Sequence, residues 1–208
     1  MSFAKFVSGQ RKKQIHNNIN ILINDISKQK LPRYLIIKLK NFINKYQLED
    51  TIEDLKKEII NDKYLQCLFS KDILKQNFCE NCQYEYIRNH DVNISKLPQT
   101  GPESLRIYNN KIIKHNIGCN SSKSIDFEDD YKNYIFAKYI ERAGGAQDNQ
   151  YREVLTTINQ CRDMEDYFIF LVDGKYFTTK RKEYLKSMCG PNELICSSEE
   201  YIKYINNK

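Results

Sequence analysis

The spacing of apolar residues changes near residue 90, and this change limits the fold more than any other feature of the chain. Before it, apolar residues recur at helical intervals, as at Ile15, Ile19 and Leu22, which predicts one stripe of an α-helix. After about residue 95, short apolar runs stand between turn residues, a pattern typical of strands. The chain is therefore expected to divide into a helical N-terminal subdomain, residues 1–95, and an α/β region, residues 96–208.

The first half contains the signals of four helices. Pro32 ends the first, because proline cannot continue a helix, and the apolar residues of 35–43 predict the second. Thr51 and Asp54 have the spacing of a capping box, which predicts the start of a third helix. Apolar residues between 65 and 74 indicate a fourth.

The second half alternates strand and helix signals, which indicates a mixed α/β core. In chain order the pattern predicts a hairpin over residues 104–114, strands at 122–128 and 132–140, a helix from about Asp148, a buried strand at 167–172, a helix at 179–188, a short strand at 194–196 and a C-terminal helix.

Charge is concentrated at the start of the chain. The first 50 residues contain ten Lys or Arg against three Asp or Glu. A basic excess favours polyanions such as nucleic acid, although a short lysine run by itself favours a solvated helix face. No apolar run approaches the length of a membrane-spanning helix, and seven cysteines without a visible secretory signal favour reduced thiols. We therefore expect a cytoplasmic protein with no membrane partner.

Two residues of the second half form a candidate catalytic pair. Asp126 lies in one short predicted strand and Lys138 lies in the next, with an acidic turn between them. Adjacent strands of a hairpin would bring the two side chains close together and leave both open to a phosphate. A carboxylate suits Mg²⁺, and a nearby ammonium group can orient water or stabilise phosphoryl charge. The alternative is an ordinary exposed cross-strand pair.

A polar segment at the start of the next predicted helix is a candidate nucleic-acid contact. Glutamine and asparagine amides donate and accept together and can read base edges, whereas arginine suits guanine or phosphate. A helix start also presents free N–H groups to phosphate; the alternative reading is a simple helix cap at Asp148 or Asn149. The candidate residues are Arg142, Gln147, Asp148, Asn149, Gln150 and Arg152.

The order of these pieces resembles the PD-(D/E)xK nucleases and, within them, the type II restriction endonucleases. The corresponding segments are KSID at 123–126, DDY at 129–131, FAK at 136–138, GGAQDNQ at 144–150 and FLVDG at 170–174. The resemblance covers about 104–175, roughly a third of the chain. It implies a restriction-endonuclease-like mixed β-sheet core flanked by helices. It also implies Mg²⁺-dependent, site-specific hydrolysis of double-stranded DNA by a homodimer.

Phe136 departs from the family pattern, because it stands where the family has a metal-binding acid. In some members that acid lies on the following helix, which makes Glu153 the natural candidate for a catalytic metal ligand beside Asp126. Glu141 is a nearer alternative, and Glu103 could supply an extra carboxylate from a preceding helix. The resemblance also implies that the Ala137 carbonyl binds the metal. Without a substitute acid, the protein would bind DNA without cutting it; a repair nuclease indifferent to sequence is the other alternative.

A zinc site is a further reading of the cysteines. Cys79 and Cys82 form a CxxC pair that His115 and Cys119 could complete. The gap of more than thirty residues between the two halves favours structural cysteines instead. The sequence contains no P-loop, dinucleotide fingerprint or GxSxG elbow.

Overall fold

A computed structural model describes residues 1–28, 30–72, 77–108, 110–114, 123–141 and 145–208. Within these residues the chain forms eight helices and seven strands. The helices are α1 (Phe3–Ile26), α2 (Arg33–Tyr46), α3 (Ile52–Asn61), α4 (Lys63–Phe69), α5 (Phe78–Arg88), α6 (Gly145–Cys161), α7 (Thr179–Met188) and α8 (Ser198–Asn206). The strands are β1 (Ile94–Lys96), β2 (Leu105–Tyr108), β3 (Lys111–Lys114), β4 (Phe127–Asp129), β5 (Tyr134–Tyr139), β6 (Phe168–Asp173) and β7 (Glu193–Cys196).

The chain divides into two compact units. Val7–Phe78 forms the helical unit, and Met1–Phe6 together with Cys79–Lys208 forms the sheet unit. We expected the division near residue 95. The structure divides the chain at residue 78, because α5 packs on the sheet through the contact between Tyr84 and Phe127.

The helical unit consists of the remainder of α1 and of α2 to α4. Thr51 accepts a hydrogen bond from the Asp54 backbone N–H, and the Asp54 carboxylate accepts one from the Thr51 N–H. These bonds satisfy N–H groups that a helix start leaves free, and they fix the predicted start of α3. The apolar faces meet in one core, formed by Leu22, Ile26, Leu35, Leu39, Leu55, Ile59 and Phe69.

A five-stranded mixed sheet organises the other unit, with the order β1-β4-β5-β6-β7. β4 is antiparallel to β1 and β5, whereas β5, β6 and β7 run parallel. All six residues of β6 are buried. Parallel strands covered on both faces read as continuous apolar runs, which explains why this strand was visible in the sequence.

Helices cover both faces of the sheet. α6 and α7 pack on one face, where Val154, Ile158 and Leu185 join Phe168 and Phe170 in the core. α5 and α8 lie against the opposite face, with Tyr84 of α5 in contact with Phe127 and the Tyr201 hydroxyl of α8 bonded to Asp129. The mixed α/β class expected from the sequence is confirmed.

β2 and β3 form the predicted hairpin, and Asn110 in its turn has a φ of 56°. The predicted strand at 122–128 is instead divided. Its first part lies beside β2, where Ser124 bridges Arg106, and its second part is β4. The predicted helix start near Asp148 is also corrected, because α6 begins at Gly145. Among the described residues, no helix combines the length and the apolar character needed to cross a bilayer.

Candidate active site

Asp126 lies where the segment that pairs with β2 ends and the chain enters the central sheet. The N–H of Ile125 donates to the Leu105 carbonyl, and the N–H of Asp126 donates to Ile135 of β5. The Asp126 side chain points along the same edge, where its Oδ2 accepts a hydrogen bond of 2.8 Å from the Ala137 N–H. Because the chain changes its pairing partner from β2 to β5 at this point, the Asp126 carboxylate lies beside the part of the β5 edge that β4 does not pair with.

Lys138 and Glu153 complete the group. Alternation along β5 puts Lys138 on the same face as Phe136, and this face packs on α6. Glu153 of α6 accepts from both sides: its Oε2 lies 2.8 Å from Lys138 Nζ, and its Oε1 lies 3.1 Å from Lys123 Nζ. Glu153 thus bridges a lysine of β5 and a lysine that precedes Asp126 in the chain.

These side chains line one small pocket at the C-terminal end of β5. Asp126, Ala137, Lys138 and Glu153 are all in its wall, together with Lys123. The pocket offers about 10 Å³ to the centre of a water-sized sphere, which is close to the least that one water molecule needs. The structure therefore brings the three predicted catalytic residues around a space that fits one small ion or one water.

Asp126 is less accessible than we expected. It is 3% exposed, whereas the side chains of Lys138 and Glu153 are 21% and 38% exposed. The expectation that both head groups are open to a phosphate is wrong for Asp126, which is buried and bonded to the Ala137 backbone N–H.

Phe136 fills the place where the family pattern has an acid. It is 5% exposed and stacks on Phe170, with ring centroids 5.4 Å apart. The ring belongs to the core between β5 and α6, and Phe136 supplies no carboxylate to a cation. Glu153, one helix away, is the carboxylate that reaches the same pocket.

The surroundings of Asp126 and Glu153 shift the pKa values of the two carboxylates in opposite directions. Burial raises the pKa of Asp126 above its ordinary value, and the charges of Lys123 and Lys138 only partly offset that effect. Burial also acts on Glu153, but hydrogen bonds and charge from Lys138 and Lys123 outweigh it and hold the pKa of Glu153 below its usual range. Glu153 is thus the firmly ionised member of the pair.

Glu80 is a third carboxylate of this region, and the sequence analysis missed its role. It lies on α5 between the two cysteines of the CxxC pair. Burial and then the negative charge of Asp126 raise its pKa, so the two carboxylates lie close enough to interact. Glu80 shares a helix face with Gln83 and Ile87, which are both fully buried.

Lys123 is the second missed residue. Burial alone would lower its pKa, but the carboxylates of Asp126 and Glu153 outweigh this and raise it. The site therefore holds this ammonium group in its charged form, at 24% side-chain exposure. Sequence reasoning had treated Lys123 only as part of the segment before Asp126.

The donor set suits a hard cation. Asp126 and Glu153 offer carboxylate oxygens, and Ala137 lies in the wall of the same pocket, with its carbonyl on the same edge of β5 as its N–H, since the two groups of one strand residue point the same way. Among the described residues, no group of three or more His, Cys, Asp or Glu side chains could hold a metal ion. Mg²⁺ is commonly held by only one or two carboxylates, with water and substrate phosphate completing its shell, so the residues present fit it.

The two other candidate carboxylates lie elsewhere. Glu103 is exposed and forms an ion pair of 2.7 Å with Lys114, so it does not supply the extra carboxylate. Glu141 accepts from the Tyr139 hydroxyl and lies 3.4 Å from Lys175. Neither lines the pocket.

The predicted DNA-contact residues occupy the first two turns of α6. Asn149, Gln150 and Arg152 are exposed, and Gln147 is half-buried. Asn149 and Glu153 are four residues apart, so they lie on one side of the helix. Arg142 lies outside the described residues.

Asp148 has a structural partner instead of a free surface position. Its carboxylate accepts a hydrogen bond from the Tyr176 hydroxyl, and the Arg181 guanidinium stacks 3.7 Å from the Tyr176 ring centroid. Asp148 therefore ties α6 to the loop before α7. It does not cap the helix, because α6 has already begun three residues earlier.

Only part of the zinc site considered from the sequence lies within the described residues. Cys79 is half-buried and Cys82 is buried, both on α5. His115 and Cys119 lie outside the described residues.

Comparison with known proteins identifies no relative. No family profile matches the chain, and neither a curated protein nor a solved structure is significantly similar to it.

Proposed function

We propose that this protein is a Mg²⁺-dependent endonuclease that hydrolyses double-stranded DNA, of the PD-(D/E)xK type and, more narrowly, a type II restriction endonuclease. The observation that carries the proposal is the meeting of Asp126, Lys138 and Glu153 in one pocket. They come from a loop, a strand and a helix, and secondary structure alone does not bring their side chains together. Their chemistry is that of phosphodiester hydrolysis.

Asp126, Glu153 and the Ala137 carbonyl would hold the Mg²⁺. When bound, Mg²⁺ supplies a Lewis acid that neutralises phosphate charge and makes a bound water more acidic. Asp126 would enter this role already desolvated, so its full negative charge would act at short range in a low-dielectric pocket. Burial raises the pKa of the free carboxyl, which makes a cation beside it the natural counter-charge.

Lys138 would act on the attacking water. Its ammonium lies 2.8 Å from Glu153 Oε2, and this contact fixes the long side chain at the mouth of the pocket. A held ammonium orients a water oxygen by hydrogen bonding and stabilises negative charge as it develops on the phosphoryl group. Glu153 thus has two duties, metal ligand and anchor of Lys138.

α6 would carry the DNA contacts. Asn149, Gln150 and Arg152 are exposed on the helix that carries Glu153, where amides can read base edges and the guanidinium can contact guanine or phosphate. Cutting both strands of a palindromic site calls for two active sites related by a twofold axis. The proposal therefore includes a homodimer on its DNA.

The test is cleavage of DNA of diverse sequence by the purified chain in Mg²⁺. We expect discrete fragments from wild type, and Lys138→Met is expected to lower the single-turnover rate by about 10²–10³-fold, the usual effect of removing one group that stabilises the transition state. Glu103→Gln is the matched control, because it removes a carboxylate paired with an exposed lysine away from the pocket.

The products separate the proposal from its rivals. A smear without discrete fragments would favour a nuclease indifferent to sequence. Binding without any cleavage, over a range of Mg²⁺ and Mn²⁺ concentrations, would favour a DNA-binding protein that lost catalysis when Phe136 replaced the acid. Equal cleavage by wild type and Lys138→Met would remove Lys138 from the mechanism.

A further inference from the structure

The charges around the pocket are unusual for a site that would bind cations. Among the described residues, the pocket wall holds two carboxylates, Asp126 and Glu153, and two lysines, Lys123 and Lys138, so their formal charges balance. A phosphodiester contributes one negative charge, so one divalent ion leaves a small positive excess and two divalent ions leave a large one. In a pocket of low dielectric, an uncompensated excess is costly.

The functions proposed for Asp126, Lys138 and Glu153 leave Lys123 without a function of its own. Its Nζ lies 3.1 Å from Glu153 Oε1, while Lys138 occupies the other oxygen of the same carboxylate at 2.8 Å. The two ammonium groups therefore flank Glu153, both in the wall of the pocket. The space between them and Asp126 is of the size of one ion or one water.

We infer that Lys123 supplies the positive charge that a second metal ion would otherwise supply, so that each active site works with a single divalent cation and two lysines. This inference rests on the proposed nuclease function and adds a specific role to it. Lys123 would contact the scissile phosphate on the side of Glu153 away from Lys138 and stabilise charge on its non-bridging or leaving oxygen.

Metal stoichiometry tests the inference without reference to turnover. Mn²⁺ bound per chain is counted by electron paramagnetic resonance, with a random-sequence DNA duplex present, and Asp126→Asn provides the background. We expect one Asp126-dependent ion in wild type. Lys123→Asp replaces the ammonium by a hard-cation ligand and is expected to raise the count to two. Two Asp126-dependent ions in wild type, or none, would overturn the inference.

Cleavage provides the second readout. Lys123→Ala is expected to lower the single-turnover rate in Mg²⁺ by about 10²–10³-fold, and Lys123→Arg, which keeps the charge, is expected to stay within about tenfold of wild type. Lys114→Ala is the control, since Lys114 is an exposed lysine paired with Glu103. A wild-type rate in Lys123→Ala would overturn the inference.

The two proposals fail in different ways. If wild type binds one Asp126-dependent Mn²⁺ but cuts no DNA, the nuclease function is overturned while the single-ion site is supported. If wild type cuts DNA and binds two such ions, the nuclease function is supported and the role of Lys123 is overturned.

Discussion

Asp126 and Asp129 are buried aspartates three residues apart in one segment, yet the fold uses them in opposite ways. Asp129 accepts four hydrogen bonds of 2.8–2.9 Å, from the N–H groups of Tyr131 and Asn133, the Asn133 amide and the Tyr201 hydroxyl. Within the described part of the chain, Asp126 accepts one hydrogen bond, from the Ala137 N–H, and lines a pocket together with Lys123 and Lys138. A carboxylate has about four acceptor positions. Asp129 has filled them with three donors of its own turn and the Tyr201 hydroxyl of α8, whereas Asp126 keeps acceptor capacity for a ligand.

The two aspartates also lie at opposite ends of the sheet's central strand. Asp129 closes the turn that leads into β5, and its bonds fix Asn133 at the start of that strand. Asp126 lies alongside Ala137, near the strand's C-terminal end. The comparison shows that burial alone does not identify a functional carboxylate. The number of its acceptor positions that the fold has filled is the better guide.

The largest expected effect concerns Asp126. Asp126→Asn should lower single-turnover DNA cleavage by about 10³-fold or more, which corresponds to about 4 kcal/mol of activation free energy, because a neutral amide is a poor ligand for a hard cation. The fold should persist, since the asparagine oxygen can still accept from the Ala137 N–H. Cleavage within tenfold of wild type would contradict the distinction between the two aspartates.

For Asp129 we expect the opposite pattern, a loss of stability without a loss of cleavage. Asp129→Ala leaves the Tyr201 hydroxyl and the Asn133 groups without their acceptor and should lower the free energy of unfolding by about 3 kcal/mol. Urea denaturation measures this loss. The cleavage rate per folded molecule should stay near that of wild type at low temperature, because the pocket is not touched. A selective loss of cleavage with unchanged stability would reverse the assignment.

The smallest expected effect is a difference in pH dependence within the pocket. The pKa of Asp126 is raised by burial, so its charged form destabilises the fold at neutral pH, and this penalty fades as pH falls through the raised pKa. Glu153 is the reverse: its pKa is lowered by its lysines, so its stabilising contribution is present above the ordinary value of 4.5 and is lost as pH falls below it. The side chain of Glu153 is partly exposed, so solvent screening keeps its share small.

Urea titrations of variants at several pH values check these signs. Asp126→Asn should be more stable than wild type at pH 7, with an advantage that shrinks towards pH 4. Glu153→Gln should be less stable than wild type at pH 7, with a deficit that shrinks below pH 4.5. The same slope in both variants would show that the two carboxylates do not experience different environments.

Local patterns in the sequence predicted the elements that satisfy themselves locally. The run at 167–172 could be recognised because a strand covered on both faces is apolar throughout. The helix at 179–188 and the hairpin at 104–114 could be recognised from period and turn residues. The capping box at Thr51 could be recognised because both of its partners lie within four residues.

Other features depend on contacts between distant segments. α5 was missed as an element of the sheet unit because its partner Phe127 lies over forty residues away. The burial of Asp126 could not be anticipated either, because its cover comes from β5 and from the pocket wall. The acid missing at Phe136 directed attention to Glu153, but nothing in the local sequence indicated that Glu153 would bind two lysines at once.

By itself, the sequence determined most of the helices and strands and which charged side chains were available near a possible phosphate site, because these properties depend on residues close together in the chain. Only the tertiary structure decided which carboxylate remained unsatisfied. The free acceptor positions of Asp126, the bridge from Glu153 to Lys123 and the approach of Glu80 each require α5, β5 and α6 to meet. That meeting is driven by burial of apolar faces that carry no information about the charges they bring together.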